Sequence, residues 1–206
     1  ENHKFDSVIN IYWRNSDLDF SNISRFTASI NQLPSLASLT RNRELIDENI
    51  FKFLVSDSSS LKFSNNASHI SILWECCQIP DFTKSSYNEH TEIITNVFQF
   101  LISDKGKITN DWMKKQVESL DNMIGNIDAI ANRISHVRTW SYVANKRNWV
   151  ENHDYWIAKT KHIEDQLSDK LHEELSKSFV DKRISILSKG IKQDVELKTK
   201  ISEQDE

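Results

Sequence analysis

Apolar residues recur along most of this chain at three- and four-residue intervals, and polar or turn-forming residues interrupt them. That period belongs to amphipathic helices, whereas a half-buried strand alternates every second residue. The first forty residues are the least regular. An apolar stretch, Val8-Ile9-Asn10-Ile11-Tyr12-Trp13, reaches Leu18 and Phe20, and Ile23, Phe26 and Ile30 then predict a short helix with Ser21 or Asn22 as its N-cap. Pro34 and the serines after it read as a connector. A second helix, near 43–55, ends in Asp57-Ser58-Ser59-Ser60, where a subdomain boundary is expected.

Ile70, Leu73, Trp74 and Cys77 trace one face of a third helix over 67–78, which Pro80 stops. Ser86-Tyr87-Asn88-Glu89 is a capping box, and it opens a helix whose Tyr87, Ile94, Val97, Phe98 and Leu101 share a face; Lys105-Gly106-Lys107 closes it. Thr109 caps a helix carrying Met113, Val117, Leu120 and Ile124. Gly125-Asn126 ends that pattern and starts the next, along Ile127, Ile130, Ala131, Ile134, Val137 and Ser141. A last, long helix from about Tyr155 sets Ile163, Leu167, Leu171, Leu175 and Phe179 at a four-residue step. That step drifts around a 3.6-residue helix until Val180, Ile184, Leu187 and Ile191 take over, a drift expected of a helix wrapping a globular body. Three divisions follow: 1–60 as an N-terminal segment, 61–192 as a helical domain, and 193–206 as a polar tail without fixed structure.

Composition agrees with the periodicity. Three Gly and two Pro among 206 residues are too few for sandwiches, barrels or Rossmann folds, so the expected class is all-α, an irregular multi-helix bundle with a long C-terminal helix. The net charge of −4 gives no global field for polyanions, so any nucleic-acid contact must be a local patch. No run of apolar residues is long enough for a membrane span. The adjacent Cys76 and Cys77 have neither zinc nor disulfide spacing and suit buried thiols of a reducing compartment such as the cytoplasm. The chain opens on Glu1 and reads as a segment of a longer protein.

Few residues carry chemistry. A phosphate-cradling GxxxxGK[ST] loop is missing, the seven His residues lack HExxH spacing, and the acidic face of Glu164, Asp165 and Asp169 is explained by pairing with Lys161, Lys170 or Arg133. One cluster stands out. Arg133, Arg138, Lys146 and Arg147 surround Trp140 and Trp149 with Trp156 beyond, and Lys182 and Arg183 follow on the last helix. Cations bind phosphates and exposed Trp stacks on bases, so these six basic residues are the candidate nucleic-acid contacts, although core packing is the commoner use of Trp. No catalytic or metal-ligating residue is expected.

Four phrases carry a resemblance: Leu73-Trp74-Glu75-Cys76-Cys77-Gln78-Ile79-Pro80-Asp81-Phe82, Gly125 through Ile134, Arg138 through Trp149, and Ile163-Glu164-Asp165-Gln166-Leu167-Ser168-Asp169 continuing to Phe179-Val180-Asp181-Lys182-Arg183. Their order and spacing resemble the C-terminal region of bacterial relatives of the mitochondrial degradosome RNA helicase, a DExH family of superfamily two. The resemblance implies an accessory helical domain that helps close a single-strand channel against two RecA-like motor domains. ATP and Mg would be held by those motor domains and none of either by this segment. It implies single-stranded RNA or DNA as partner, with docking to an exoribonuclease assembly as the alternative.

Overall fold

The computed structural model describes residues 11–43, 45–56 and 66–202, with side chains as far as Lys189. Among them are seven helices and one small sheet: β1 (Ile11–Trp13), α1 (Ile23–Ile30), β2 (Leu39–Arg41), α2 (Ile46–Ser56), α3 (Ala67–Cys77), α4 (Tyr87–Ile102), α5 (Asn110–Glu118), α6 (Ile127–Asn145) and α7 (His153–Ser202). The protein is thus all-α, a multi-helix bundle with a long C-terminal helix. The sheet was not expected. β1 and β2 pair in parallel, Ile11 opposite Leu39 and Trp13 opposite Arg41, across a connection that α1 fills. Residues 57–60 and Val8 to Asn10 lie outside the described residues.

Side chains supply most helix starts. Asn22, Asn66 and Asn126 each accept a backbone N–H three residues on, and Ser86 with Glu89 forms the reciprocal capping box. Thr109 caps α5 by position alone, since its side chain makes no such bond. The Asn110 N–H donates instead to Glu151 Oε2 at 2.9 Å, a partner from the α6–α7 turn. That turn is further tied to residue 108 by Ile108 N–H to Trp149 O (2.8 Å) and Glu151 N–H to Ile108 O (3.0 Å). Asn148 and Asn152 take positive φ of 67° and 47° within it, a conformation Asn tolerates better than most residues.

The buried side chains form one continuous cluster from Phe26 to Leu167, so residues on both sides of position 60 share a core. At the N-terminal end Phe26 packs on Phe20, Phe51 and Trp74 with ring centroids 4.7–5.2 Å apart. Glu48, 1% exposed, is held there by Arg41 Nη2 at 2.9 Å. At the other end α6 and α7 form the most extensive helix contact, burying Ile130, Val137 and Val143 against Trp156, Ile163 and Leu167.

Of the long α7, only the first part behaves as the periodicity suggests. Ile163 and Leu167 are fully buried and Leu171 is partly covered; Leu175 is 39% exposed and Phe179 69%. The second row, Val180, Ile184 and Leu187, is 56–66% exposed. The helix therefore leaves the body near Leu171 instead of wrapping it. Its helical backbone continues to Ser202, through most of the polar tail.

Candidate nucleic-acid interface

The fold separates the six basic candidates that the sequence places together. Arg133, half-buried on α6, turns its guanidinium back onto the α5–α6 connection, where Nη1 donates to the carbonyls of Asn122 (2.9 Å) and Ile124 (2.7 Å). This connection depends on Gly125 at φ 146°, where a Cβ would come within 3.1 Å of Ala129 Cβ. Arg133 is thus a clasp on a loop whose backbone path requires glycine. Arg138 donates from Nε to Glu164 Oε1 at 2.8 Å, fixing α6 to α7. Glu164 therefore pairs with Arg138, whereas Lys161, Lys170 or Arg133 were the expected partners. Lys146 lies over the rings of Tyr142 and Trp149, 5.3 and 5.6 Å from their centroids.

Arg147, Lys182 and Arg183 remain exposed without a described partner. Distance keeps them from acting as one patch. Arg147 precedes the start of α7, and the helical rise alone puts Lys182 about 43 Å beyond His153. Lys182 follows Glu164 by five turns, so it lies on the Arg138 side of α7, roughly 27 Å further along. Asp165, Asp169, Glu173 and Glu174 occupy the helix between them. Lys170 and Lys177 partly neutralise that stretch, bridging Glu173 and Glu174 at 2.5–3.2 Å. Hydrogen bonds from Lys177 and then Lys170 push the exposed Glu173 carboxyl down to about 2.

The aromatic half of the cluster is committed to packing. Trp140, Trp149 and Trp156 are 4–6% exposed. Trp156 Nε1 donates to Asn110 Oδ1 at 2.9 Å, and Trp112 meets Trp140 edge-on with centroids 5.4 Å apart. Bases cannot stack on these faces.

The cysteines are chemically quiet. Cys76 and Cys77 are 0% and 2% exposed, and burial pushes both thiols up, so the reactive thiolate is suppressed. Among the described residues no group of three or more His, Cys, Asp or Glu side chains is arranged to hold a metal ion, and no helix is long and apolar enough to cross a membrane.

One site was missed in the sequence. A groove of about 460 Å³ runs between α4, α5 and α6, and His90 lines it while being only 4% exposed. His90 sits one residue past the capping-box Glu89 and four and seven residues before Ile94 and Val97, so it shares their buried face, although the face expected from the sequence did not include it. Its Nε2 has no hydrogen-bond partner. Burial, the largest influence, lowers the imidazole pKa, against the attraction of Asp81 and a hydrogen bond to the backbone of Ile79. Since Nε2 is unpartnered, that bond falls to Nδ1, leaving Nε2 as a bare acceptor. Asp81 is itself fixed: Thr83 Oγ1 donates to Oδ1 at 2.7 Å and the Ser85 N–H at 3.2 Å. Burial alone would raise the Asp81 pKa, but these bonds and His90 bring it below the usual carboxylate value.

No protein-family model matches the chain, and neither the curated proteins nor the solved structures yield a match.

Proposed function

We propose that this chain is a helical accessory domain of an ATP-dependent RNA or DNA helicase, cytoplasmic and without turnover of its own, and that it works chiefly by docking. The observation that carries this reading is the outer half of α7. Leu175, Phe179, Val180, Ile184, Ile186 and Leu187 are 39–69% exposed on a helix that has left its own core. Two closely spaced rows of exposed apolar side chains, Leu175, Phe179 and Ile186 on one and Val180, Ile184 and Leu187 on the other, fit a contact with another chain or domain. The four resembling phrases supply the identity of the expected partner, a RecA-like motor, with an exoribonuclease assembly as the second.

Strand contact keeps a smaller place in the proposal. Arg147, Lys182 and Arg183 are the basic residues left for phosphates, and three separated cations give weak, strongly salt-dependent binding. A photo-crosslinking side chain at position 179 in the native cell tests the docking reading. Crosslinks to peptides of a chain with DExH motor motifs support it, and crosslinks only to chains without a nucleotide-binding motor or exoribonuclease overturn it. Anisotropy of labelled single-stranded RNA, at low and moderate salt, tests the strand contact. Replacing Arg147, Lys182 and Arg183 with Glu abolishes whatever salt-sensitive binding these residues provide, and unchanged binding removes them from the interface.

A further inference from the structure

The groove between α4, α5 and α6 lies on the body, apart from the α7 arm, and its chemistry is opposite to that of a phosphate site. Three carboxylates line it, from Asp81, Glu89 and Glu92, against one ammonium, from Lys115. An anion entering would meet net repulsion, and a cation attraction. Several acceptors there are uncommitted. The hydrogen bonds to Asp81 all fall on Oδ1, leaving Oδ2; Glu92 is exposed and has no described partner; and His90 Nε2 is orphaned. A buried acceptor without a donor is costly, so a ligand that supplies an N–H there recovers stability that the free protein lacks. The half-exposed Trp112 adds an aromatic wall suited to a flat cation.

We propose that this groove is a receptor for the guanidinium of an arginine side chain presented by a partner protein, with His90 Nε2 and the Asp81 and Glu92 carboxylates as its acceptors. Guanidinium matches the site better than ammonium. Its five donors are spread in one plane, it stacks on aromatic faces and it is weakly hydrated, whereas ammonium is a compact, strongly hydrated point charge. A volume near 460 Å³ accommodates a single long side chain with its flanking backbone, not a helix. Because Nε2 is covered, seating the donor requires side chains that line the groove to shift. The groove thereby selects for a group able to replace the displaced contacts. The inference goes beyond the docking role of α7 and stands or falls on different residues.

The test is a titration of the full chain with acetyl-Gly-Arg-Gly-amide, followed through the imidazole ¹⁵N signals of His90 and compared with the citrulline and lysine peptides of the same length. Saturable shifts with the arginine peptide are expected, and binding about tenfold weaker for citrulline, which keeps the shape and loses the charge. His90→Phe, which lacks the reporting imidazole and is therefore followed by isothermal titration calorimetry alongside the unaltered chain, should weaken arginine binding about tenfold. Glu92→Gln, at an exposed position where folding is not at risk, should weaken it a few-fold. Absence of saturation, equal affinity for arginine and citrulline, equal affinity for arginine and lysine, or indifference to both substitutions would each overturn the proposal. So would tighter binding of guanosine monophosphate in the same groove. None of these outcomes bears on the crosslinks from position 179.

Discussion

The two halves of α7 obey the same sequence rule and meet opposite fates. From His153 to Leu171 the helix lies along α6, and Trp156, Ile163 and Leu167 are sealed in the core. From Leu175 onward the same four-residue apolar step continues, yet every described side chain to Lys189 is exposed. Periodicity specifies a helix and a face, and says nothing about what covers that face. The inner half is covered because α6 returns along it through a turn pinned at Ile108 and Glu151. Beyond Leu175, which still borders α6 across a shallow groove, every described apolar side chain is 56–69% exposed. On the docking reading proposed above, this difference is what singles out the outer half as the contact face.

The sharpest way to break this comparison is to truncate one leucine in each half. Leu167→Ala removes a fully buried side chain and should cost about 2–5 kcal/mol, whereas Leu187→Ala, 66% exposed, should stay within about 0.5 kcal/mol. Urea unfolding of the two variants measures both. Comparable losses would mean that the outer row is covered in the isolated chain, by a second copy or by a bent-back helix. Ile184→Glu, 60% exposed on the same arm, should likewise leave unfolding unchanged while abolishing the complex crosslinked from position 179.

A smaller effect separates the basic residues in the same way. Arg133→Ala releases two carbonyls of the loop around Gly125 and should destabilise by about 1–3 kcal/mol. Arg183→Ala, on the arm, should have an effect within about 0.5 kcal/mol. If the order were reversed, Arg133 would be the better candidate for a strand contact and Arg183 a hidden structural residue.

What was legible in the sequence follows physical range. Asn22, Ser86 with Glu89, and Asn126 cap helices through bonds spanning three residues, and each was read from its neighbours; Asn66 caps α3 in the same way but was not singled out. Thr109 was also placed correctly as the start of α5, but the acceptor of the Asn110 N–H could not be read, because Glu151 lies forty-one residues away. The β1–β2 pair was hidden for the same reason, being two three-residue strands joined only in space. Ile124 shows the limit from the other side. It continues the row of Met113, Val117 and Leu120 by spacing, but α5 ends at Glu118 and Ile124 is 81% exposed. The basic cluster misled because proximity in sequence carries no information on whether an Arg faces water or a carbonyl. The groove was illegible since Asp81, His90, Trp112 and Lys115 come from two helices and a loop.

Body and arm should also differ in how they respond to acid. Burial depresses the His90 pKa in the fold below its ordinary 6.5, so the unfolded chain binds the proton more readily. The stability associated with a neutral His90 is complete above about 6.5 and is lost as pH falls through the lower, folded value. Thermal unfolding between pH 7 and 5 should therefore show a falling midpoint that His90→Phe flattens. An unaltered slope in that variant would assign the effect to another group.

The arm's response comes lower and is the smallest. Glu173 is exposed, and its bonds to Lys177 and Lys170 depress its pKa from 4.5 to about 2. The bonds therefore favour the helix at all pH above 4.5 and are lost as pH falls through about 2. Glu174, lowered in the same direction by Lys170 and then Lys177, adds to the same window. Water and salt screen both pairs, so the expected change is a slight loss of helical circular dichroism in that window, one that shrinks in high salt and disappears in Lys177→Ala with Lys170→Ala. A large, salt-independent loss would place Glu173 and Glu174 in a covered contact. The outer half of α7 would then be packed like the inner half, and the docking face would have to be sought elsewhere.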